Sequence, residues 1–432
     1  MQMSFERSEN LAGVVAVPPD KSISHRAAIL TSLCKGKSRI ENYSPAADCS
    51  STLRCLRKLD ARLSWEGVTL LVEGRGENGF DQPGEPLDCG NSATTMRLLA
   101  GALVGDTVEV TLTGDESLTR RPMGRIIEPL ALMGARVEAE GEDYRPPLRI
   151  KGGKLKGIVY SPSVVSAQVK SAILLAGLKA DGSTTVNEKV QTRDHTERML
   201  LAMGIKVLSE GLSVTVEPGM PEPSEFDIPG DFSSAAFLIT AALVCAGSEI
   251  TINAVGVNPS RTAFLDMLNR MGAEIEVKQE APDAWEPRGE ITVKHGPLTA
   301  IEVDADDVAK AIDEMPLLAL LATQAEGRTE IRGADELRHK ESDRLRGTVE
   351  GLSTMGASIE ETPRGMVIEG PCALDGTAVS SQKDHRLAMM LAVAGLAAEG
   401  RTDVQDWEWT EISYPGFHEV LRGLGGRSWS EG

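Results

Sequence analysis

Several short strings in this chain gather side chains that can bind anions and move protons. PPDKSISHR places Lys21, Ser22 and Arg26 just behind two prolines, with Asp20 or Ser22 positioned to cap a helix. DCGNSATTMR opens another apolar stretch with Gly, Asn, Ser and Thr, and TGDESLTRRPMGR then brings Arg120, Arg121 and Arg125 close together. SVVSAQVK offers Ser166 and Gln168, and TRDHTER adds Arg193 and His195. In the second half, IDEMP carries Asp313 and Glu314, ELRHKESDRLR clusters Lys340, Glu341, Asp343, Arg344 and Arg346, and KDHR ends on Arg386. The unpaired N–H groups of a helix start, joined by Lys, Ser and Arg, make an anion site. Carboxylates among this many cations stay ionised at neutral pH and suit a base, or an acid where one pKa is raised. The plain alternative for each string is a capped helix with solvated charges.

The elements that must position these groups repeat. LRKLDARLSW, LALMGARVEA, LLAMGIKVLS, LNRMGAEIEV, LSTMGASIEE and LRGLGGRSWS share an apolar pair, a turn and a strand-like run. Their turn residues, Asp60, Gly134, Gly204, Gly272, Gly356 and Gly425, recur at roughly 70 residues, and a Gly there reads as a helix stop. Interleaved with them are six Ala/Leu-rich stretches, such as SAQVKSAILLAGL and DHRLAMMLAVAGL, each leading into β-branched residues. Apolar nearly all round, these read as buried helices. Six units of helix, strand, further short strands, helix and strand imply an α/β protein of two three-unit domains, parted near PGMPEPSEFDIPGD. Chemistry-bearing residues at equivalent points of a repeat can converge on one cleft.

Composition limits the alternatives. With 41% apolar and 25% charged residues the chain reads as a soluble globular enzyme, and its net charge of −19 argues against nucleic-acid binding. The longest apolar run, Phe237 to Gly247, is about half of what spans a bilayer. MQMSFERSEN lacks the apolar segment of a signal peptide, so a cytoplasmic protein without membrane attachment is expected. The six cysteines show no CxxC spacing, which disfavours a disulfide framework or zinc and leaves buried, inert thiols. GRGENG matches GxGxxG but runs into Phe80, Asp81, Gln82 and Pro83 rather than a helix, so it is not a dinucleotide site.

PPDKSISHRAAIL, GNSATTMRLL, GDESLTRRPM, SAQVKSAILLAGL, TRDHTERML and LRHKESDRL together resemble the 5-enolpyruvylshikimate-3-phosphate synthases, from about Pro18 to Pro415, nearest their glyphosate-tolerant branch. The resemblance implies the enolpyruvyl transferase inverse α/β fold, with two domains each of three βαβαββ repeats around buried helices. Domain I would comprise residues 1–18 plus 231–432 and domain II residues 19–230, with the active site in the interdomain cleft. The implied reaction moves the carboxyvinyl group of phosphoenolpyruvate to the 5-hydroxyl of shikimate 3-phosphate through a tetrahedral intermediate, without metal or organic cofactor. By matching motif positions, Lys21, Ser22, Arg26, Ser166, Ala167, Gln168, Arg193, Asp313 and Lys340 would contact shikimate 3-phosphate. Lys21, Ala93, Arg121, Gln168, Arg344 and Arg386 would hold phosphoenolpyruvate. Asp313 would accept the 5-hydroxyl proton, Glu341 would protonate the methylene carbon, and Lys21 would complete the catalytic set. Two positions depart from the better-known branch: a family Gly is Ala93, and a family Lys is Ile412. A monomer with these two small-molecule partners is expected. The rival readings are a UDP-N-acetylglucosamine enolpyruvyl transferase, whose loop cysteine DESLTRRPM lacks, and a non-catalytic anion-binding protein on the same scaffold.

Overall fold

The computed structural model describes residues 1–281 and 284–430. The chain forms two compact units: unit II is Pro19–Pro229, and unit I is Met1–Pro18 with Gly230–Gly432. The sequence reading places Gly230 in the former. It falls in unit I because its N–H donates to Ala254 O and its carbonyl accepts from Gly256 N–H, both at 2.8 Å.

Among the described residues each unit holds three four-stranded sheets of one pattern. In the second sheet of unit II, Leu87–Asp88 runs parallel to Glu109–Thr113. That strand pairs antiparallel with Arg145–Lys151, which pairs antiparallel with Arg136–Gly141. Glu109–Thr113 alternates buried and less buried residues, as a sheet with one covered face requires. The first sheet of unit II borrows its parallel strand, Glu225–Asp227, from the far end of that unit. Unit I is completed by the chain's beginning: Gln2–Glu6 lies between Arg401–Gln405 and Arg427–Ser430, and Ala12–Ala16 runs beside Glu249–Gly256.

The buried helices are α1 (Lys21–Leu33), α2 (Ala93–Leu103) and α3 (Ala167–Gly177) in unit II. Unit I supplies α4 (Phe232–Val244), α5 (Met315–Gln324) and α6 (His385–Ala397). In unit I the three helices pack on one another, whereas in unit II α2 lies between α1 and α3. A Cβ at Gly101 would sit 2.2 Å from the carbonyl oxygen of Ala172, so α2 and α3 meet at a distance only glycine permits. All six LxxM turn positions have positive φ, from 64° at Asp60 to 106° at Gly425, which is how the amphipathic second helices stop.

Local chemistry fixes where the buried helices begin. Asp20, Ser92, Ser166, Asp231 and Asp384 each accept a backbone N–H of the first turn through their side chains. At α5 the corresponding Glu314 makes no such cap, and Pro316 occupies the first turn instead. Among the described residues no helix is long and apolar enough to cross a membrane. All six cysteines are free; burial pushes the Cys245 thiol up to about 12 and raises those of Cys34 and Cys49.

Candidate active site

In unit II Lys21, Ser22, Ala93, Ser166, Ala167 and Gln168 stand at the starts of α1, α2 and α3, whereas Arg121 and Arg193 lie on loops. Lys21 opens α1 and reaches Asp48 Oδ2 at 2.9 Å. Gln168, in the first turn of α3, donates to Thr94 Oγ1 at 2.9 Å and accepts from Arg97 Nη1 at 2.5 Å, which ties α3 to the start of α2. Arg97 also donates to Pro122 O at 3.2 Å and so holds the arginine loop. Only one arginine of that loop is buried. Arg121 donates to Asn91 Oδ1 at 2.8 Å, while Arg120 lies exposed against Glu116. Ala93 is the first residue of α2 and is buried behind its Ser92 cap.

Arg26 is buried and its guanidinium is held in place by neighbouring helices. Its Nε donates to Thr196 Oγ1 at 2.8 Å, Nη1 to Ser22 O at 2.9 Å and Nη2 to Ser171 Oγ at 2.8 Å. The segment bearing Arg193 is anchored by the buried Lys170, whose Nζ meets Glu188 at 2.9 Å, Glu197 at 2.6 Å and Thr192 O at 3.3 Å. Beneath Lys21, His25 is wholly buried with Nδ1 2.6 Å from Thr52 Oγ1, which in turn lies 2.7 Å from Thr95 Oγ1. Burial, with Lys21 and Arg26 nearby and opposed by Asp48, lowers the His25 pKa to about 3, so the ring is neutral at pH 7.

In unit I the candidate groups gather around Arg344, the first residue of its helix and 1% exposed. Its Nε and Nη2 reach Asp384 at 3.0 and 3.2 Å, Nη2 also reaches Glu341 at 2.5 Å, and Nη1 reaches Asp313 Oδ1 at 3.5 Å. Asp313 also faces Lys340 Nζ at 3.2 Å and Arg386 Nη2 at 3.9 Å. Burial raises the Asp384 carboxyl, but the Arg344 charge more than reverses this and leaves its pKa below the usual range. Burial likewise lowers the Arg344 pKa while Asp384, Glu341 and Asp313 raise it further, so the guanidinium is firmly charged. Three cations and three carboxylates thus share one site, held together by a buried ion pair and open to exchange at Asp313 and Glu341, 15% and 22% exposed.

The family model for EPSP synthase (3-phosphoshikimate 1-carboxyvinyltransferase) matches residues 5–421. The chain belongs to the EPSP synthase family. A 3-phosphoshikimate 1-carboxyvinyltransferase from Brevibacillus brevis is 45% identical over 420 residues, 97% of this chain and 99% of that one. One from Geobacillus kaustophilus is 47% identical over 419 residues, 96% of this chain and 98% of that one. The solved EPSP synthase of Acinetobacter baumannii superposes with a TM-score of 0.88 at 38% identity, covering 100% of both chains. The enolpyruvyl transferase NikO of Streptomyces tendae, 20% identical and covering 99% of this chain and 98% of its own, shares the fold with a TM-score of 0.80.

Within this EPSP synthase family member several partners escape a reading of the sequence. Asp48, Arg97, Ser233, Arg261 and Asp384 all contact candidate groups, yet none is singled out there, although DCGNSATTMR ends on Arg97 and KDHR contains Asp384. A signal was present for three of them. Asp384 and Asp48 sit at the starts of helices, where carboxylates are favoured, and Ser233 follows the Asp231 cap as Ser22 follows Asp20. Arg261 carried no signal. Ile412 ends a short 3-10 turn ahead of the buried Tyr414 and, being apolar, supplies no charge there.

Proposed function

We propose that the protein transfers the enolpyruvyl group of phosphoenolpyruvate to the 5-hydroxyl of shikimate 3-phosphate, giving 5-enolpyruvylshikimate 3-phosphate and phosphate, on the route to chorismate and aromatic amino acids. The observation that carries this reading is the placing of two partly exposed carboxylates, Asp313 and Glu341, on one buried guanidinium, Arg344, beside Lys340 and Arg386. Addition needs a proton delivered to the methylene carbon while another leaves the attacking hydroxyl, so an acid and a base must flank one anionic substrate. In this reading Arg344 and Arg386 take the phosphoenolpyruvate carboxylate. Its arrival at Arg344 competes with Glu341 for that guanidinium. Glu341 then protonates the methylene carbon as the 5-oxygen bonds to C2 of phosphoenolpyruvate and gives its proton to Asp313. Elimination reverses the first transfer: Glu341 takes a proton back from the new methyl group, the C–O bond to phosphate breaks, and the proton held on Asp313 leaves with the phosphate.

Unit II supplies the remaining charge in this proposal. Lys21, with Arg121 and the N-terminus of α2 at Ala93, would meet the phosphate that leaves. Ser22, Arg26, Ser166, the Ala167 backbone, Gln168 and Arg193 would hold shikimate 3-phosphate. Fixed dipoles and cations stabilise developing charge without reorganising, which is where most of the acceleration would arise. Release of inorganic phosphate from phosphoenolpyruvate with shikimate 3-phosphate, and none with UDP-N-acetylglucosamine, tests the reading. Release with the sugar nucleotide instead would identify the sister reaction, and release with neither would leave an anion-binding protein.

A further inference from the structure

Below Arg386 lies a buried cluster that the proposed chemistry leaves unused. Ser233, Arg261 and Glu314 are 5%, 3% and 0% exposed and come from α4, from the loop ahead of Ala263–Arg270, and from the turn ahead of α5. Arg261 meets Glu314 through Nη1 at 3.1 Å and Nη2 at 2.8 Å, and its guanidinium stands over the Phe232 ring at 5.2 Å. Burial raises the Glu314 pKa, but Arg261 more than reverses it, leaving a carboxylate that is charged at neutral pH.

The Ser233 hydroxyl sits between this pair and Arg386. Its Oγ is 2.7 Å from Glu314 Oε1, it contacts Arg261 Nη2, and it lies 3.2 Å from Arg386 Nη2. A guanidinium has no acceptor, so both arginines must donate to Oγ, and the single O–H is left to point at Glu314. One donor and two acceptor sites are thereby all used, and the hydroxyl cannot rotate. Apart from it, among the described residues Arg386 comes nearest to carboxylates at 3.8 Å (Glu314) and 3.9 Å (Asp313 of the Arg344 site).

We infer that Ser233, pinned by the buried Arg261–Glu314 pair, is a positioning residue that fixes the Arg386 guanidinium for phosphoenolpyruvate; the inference rests on the function proposed above. Without the hydroxyl, Glu314 Oε1 loses a donor and draws Arg386 towards itself, away from the ligand. Ser233→Ala removes only the Oγ atom and leaves the Asp231 cap and the Arg261–Glu314 pair in place, so the variant should fold. The experiment measures steady-state kinetics of wild type, Ser233→Ala, Arg386→Ala and the double variant, varying each substrate in turn. Ser233→Ala should raise the KM for phosphoenolpyruvate about 3- to 30-fold, the range for a hydrogen bond to a charged group that is partly replaced. The KM for shikimate 3-phosphate should stay within about twofold, and in the Arg386→Ala background the serine change should add nothing further. An unchanged phosphoenolpyruvate KM in Ser233→Ala, or an effect that multiplies fully onto Arg386→Ala, overturns the inference alone. If Arg386→Ala itself leaves that KM unmoved, the underlying assignment of Arg386 fails and the inference with it.

Discussion

Truncating Asp384 to alanine should cost unit I much of its stability. Its carboxylate holds Arg344 at 3.0 and 3.2 Å and caps α6 through the N–H groups of Arg386 at 2.8 Å and Leu387 at 3.4 Å. With the two side chains 0% and 1% exposed, the truncation strands a buried guanidinium. Removing one partner of a buried pair costs about 3–5 kcal/mol, and losing an aspartate cap about 1 kcal/mol. Glu341 and Asp313 still face Arg344 and recover part of this, so the expected loss is about 3–5 kcal/mol in all. For a body of this size that lowers Tm by roughly 6–20 °C. Asp384→Asn keeps an acceptor for the cap and should lie about 1 kcal/mol nearer to wild type. Because the folded-state pKa of Asp384 is depressed, its contribution is present above the unfolded value of about 4 and is lost as pH falls through the lower folded value. Scanning calorimetry at several pH values reads both effects, and the gap between wild type and Asp384→Asn should narrow on acidification below about pH 4. A Tm loss under about 2 °C for Asp384→Ala, or a gap indifferent to acid, would refute the reasoning.

Other substitutions probe single roles. Glu341→Gln keeps the side chain's shape and removes its ionisable proton, so both substrates should still bind by calorimetric titration while turnover falls about 10²- to 10⁴-fold; near-normal turnover would reassign the acid. Ala93→Gly removes the methyl at the first position of α2, which on the proposed reading borders the phosphoenolpyruvate pocket and would crowd the longer glyphosate. Glyphosate inhibition should tighten by about 10- to 200-fold, and an unmoved inhibition constant would sink the steric account. Thr52→Val preserves volume but cuts the links to His25 at 2.6 Å and Thr95 at 2.7 Å. The loss should be about 1–3 kcal/mol, read as a fall in Tm, and an unchanged Tm would mean the hydroxyl chain contributes nothing.

The architecture was unusually legible. Helices such as Phe232–Val244 are buried on every side, so their apolar residues run nearly unbroken and mark them without tertiary information. The LxxM turns were equally plain, because a positive φ admits few residue types. The arginine loop was less so. Arg120 and Arg121 are adjacent and chemically identical, and only packing against Asn91 and Ser117 turns one inward.

By itself the sequence determined where each buried helix starts and which charged groups stand near that start, because caps, helix stops and hydrophobic period act over a few residues of one backbone. Tertiary structure alone decided which charge meets which. Asp384 is 40 positions from Arg344 and Ser233 is 81 from Glu314, and their pairing follows from three buried helices of unit I packing on one another. It likewise decided that residues 1–18 complete the sheets of unit I, although Gln2–Glu6 is 399 positions from its partner strand at Ser4 and Asp403. The physical reason is the same in both cases. A buried donor or charge must be satisfied by whatever the packed chain brings within about 3 Å, and no local pattern encodes that neighbour.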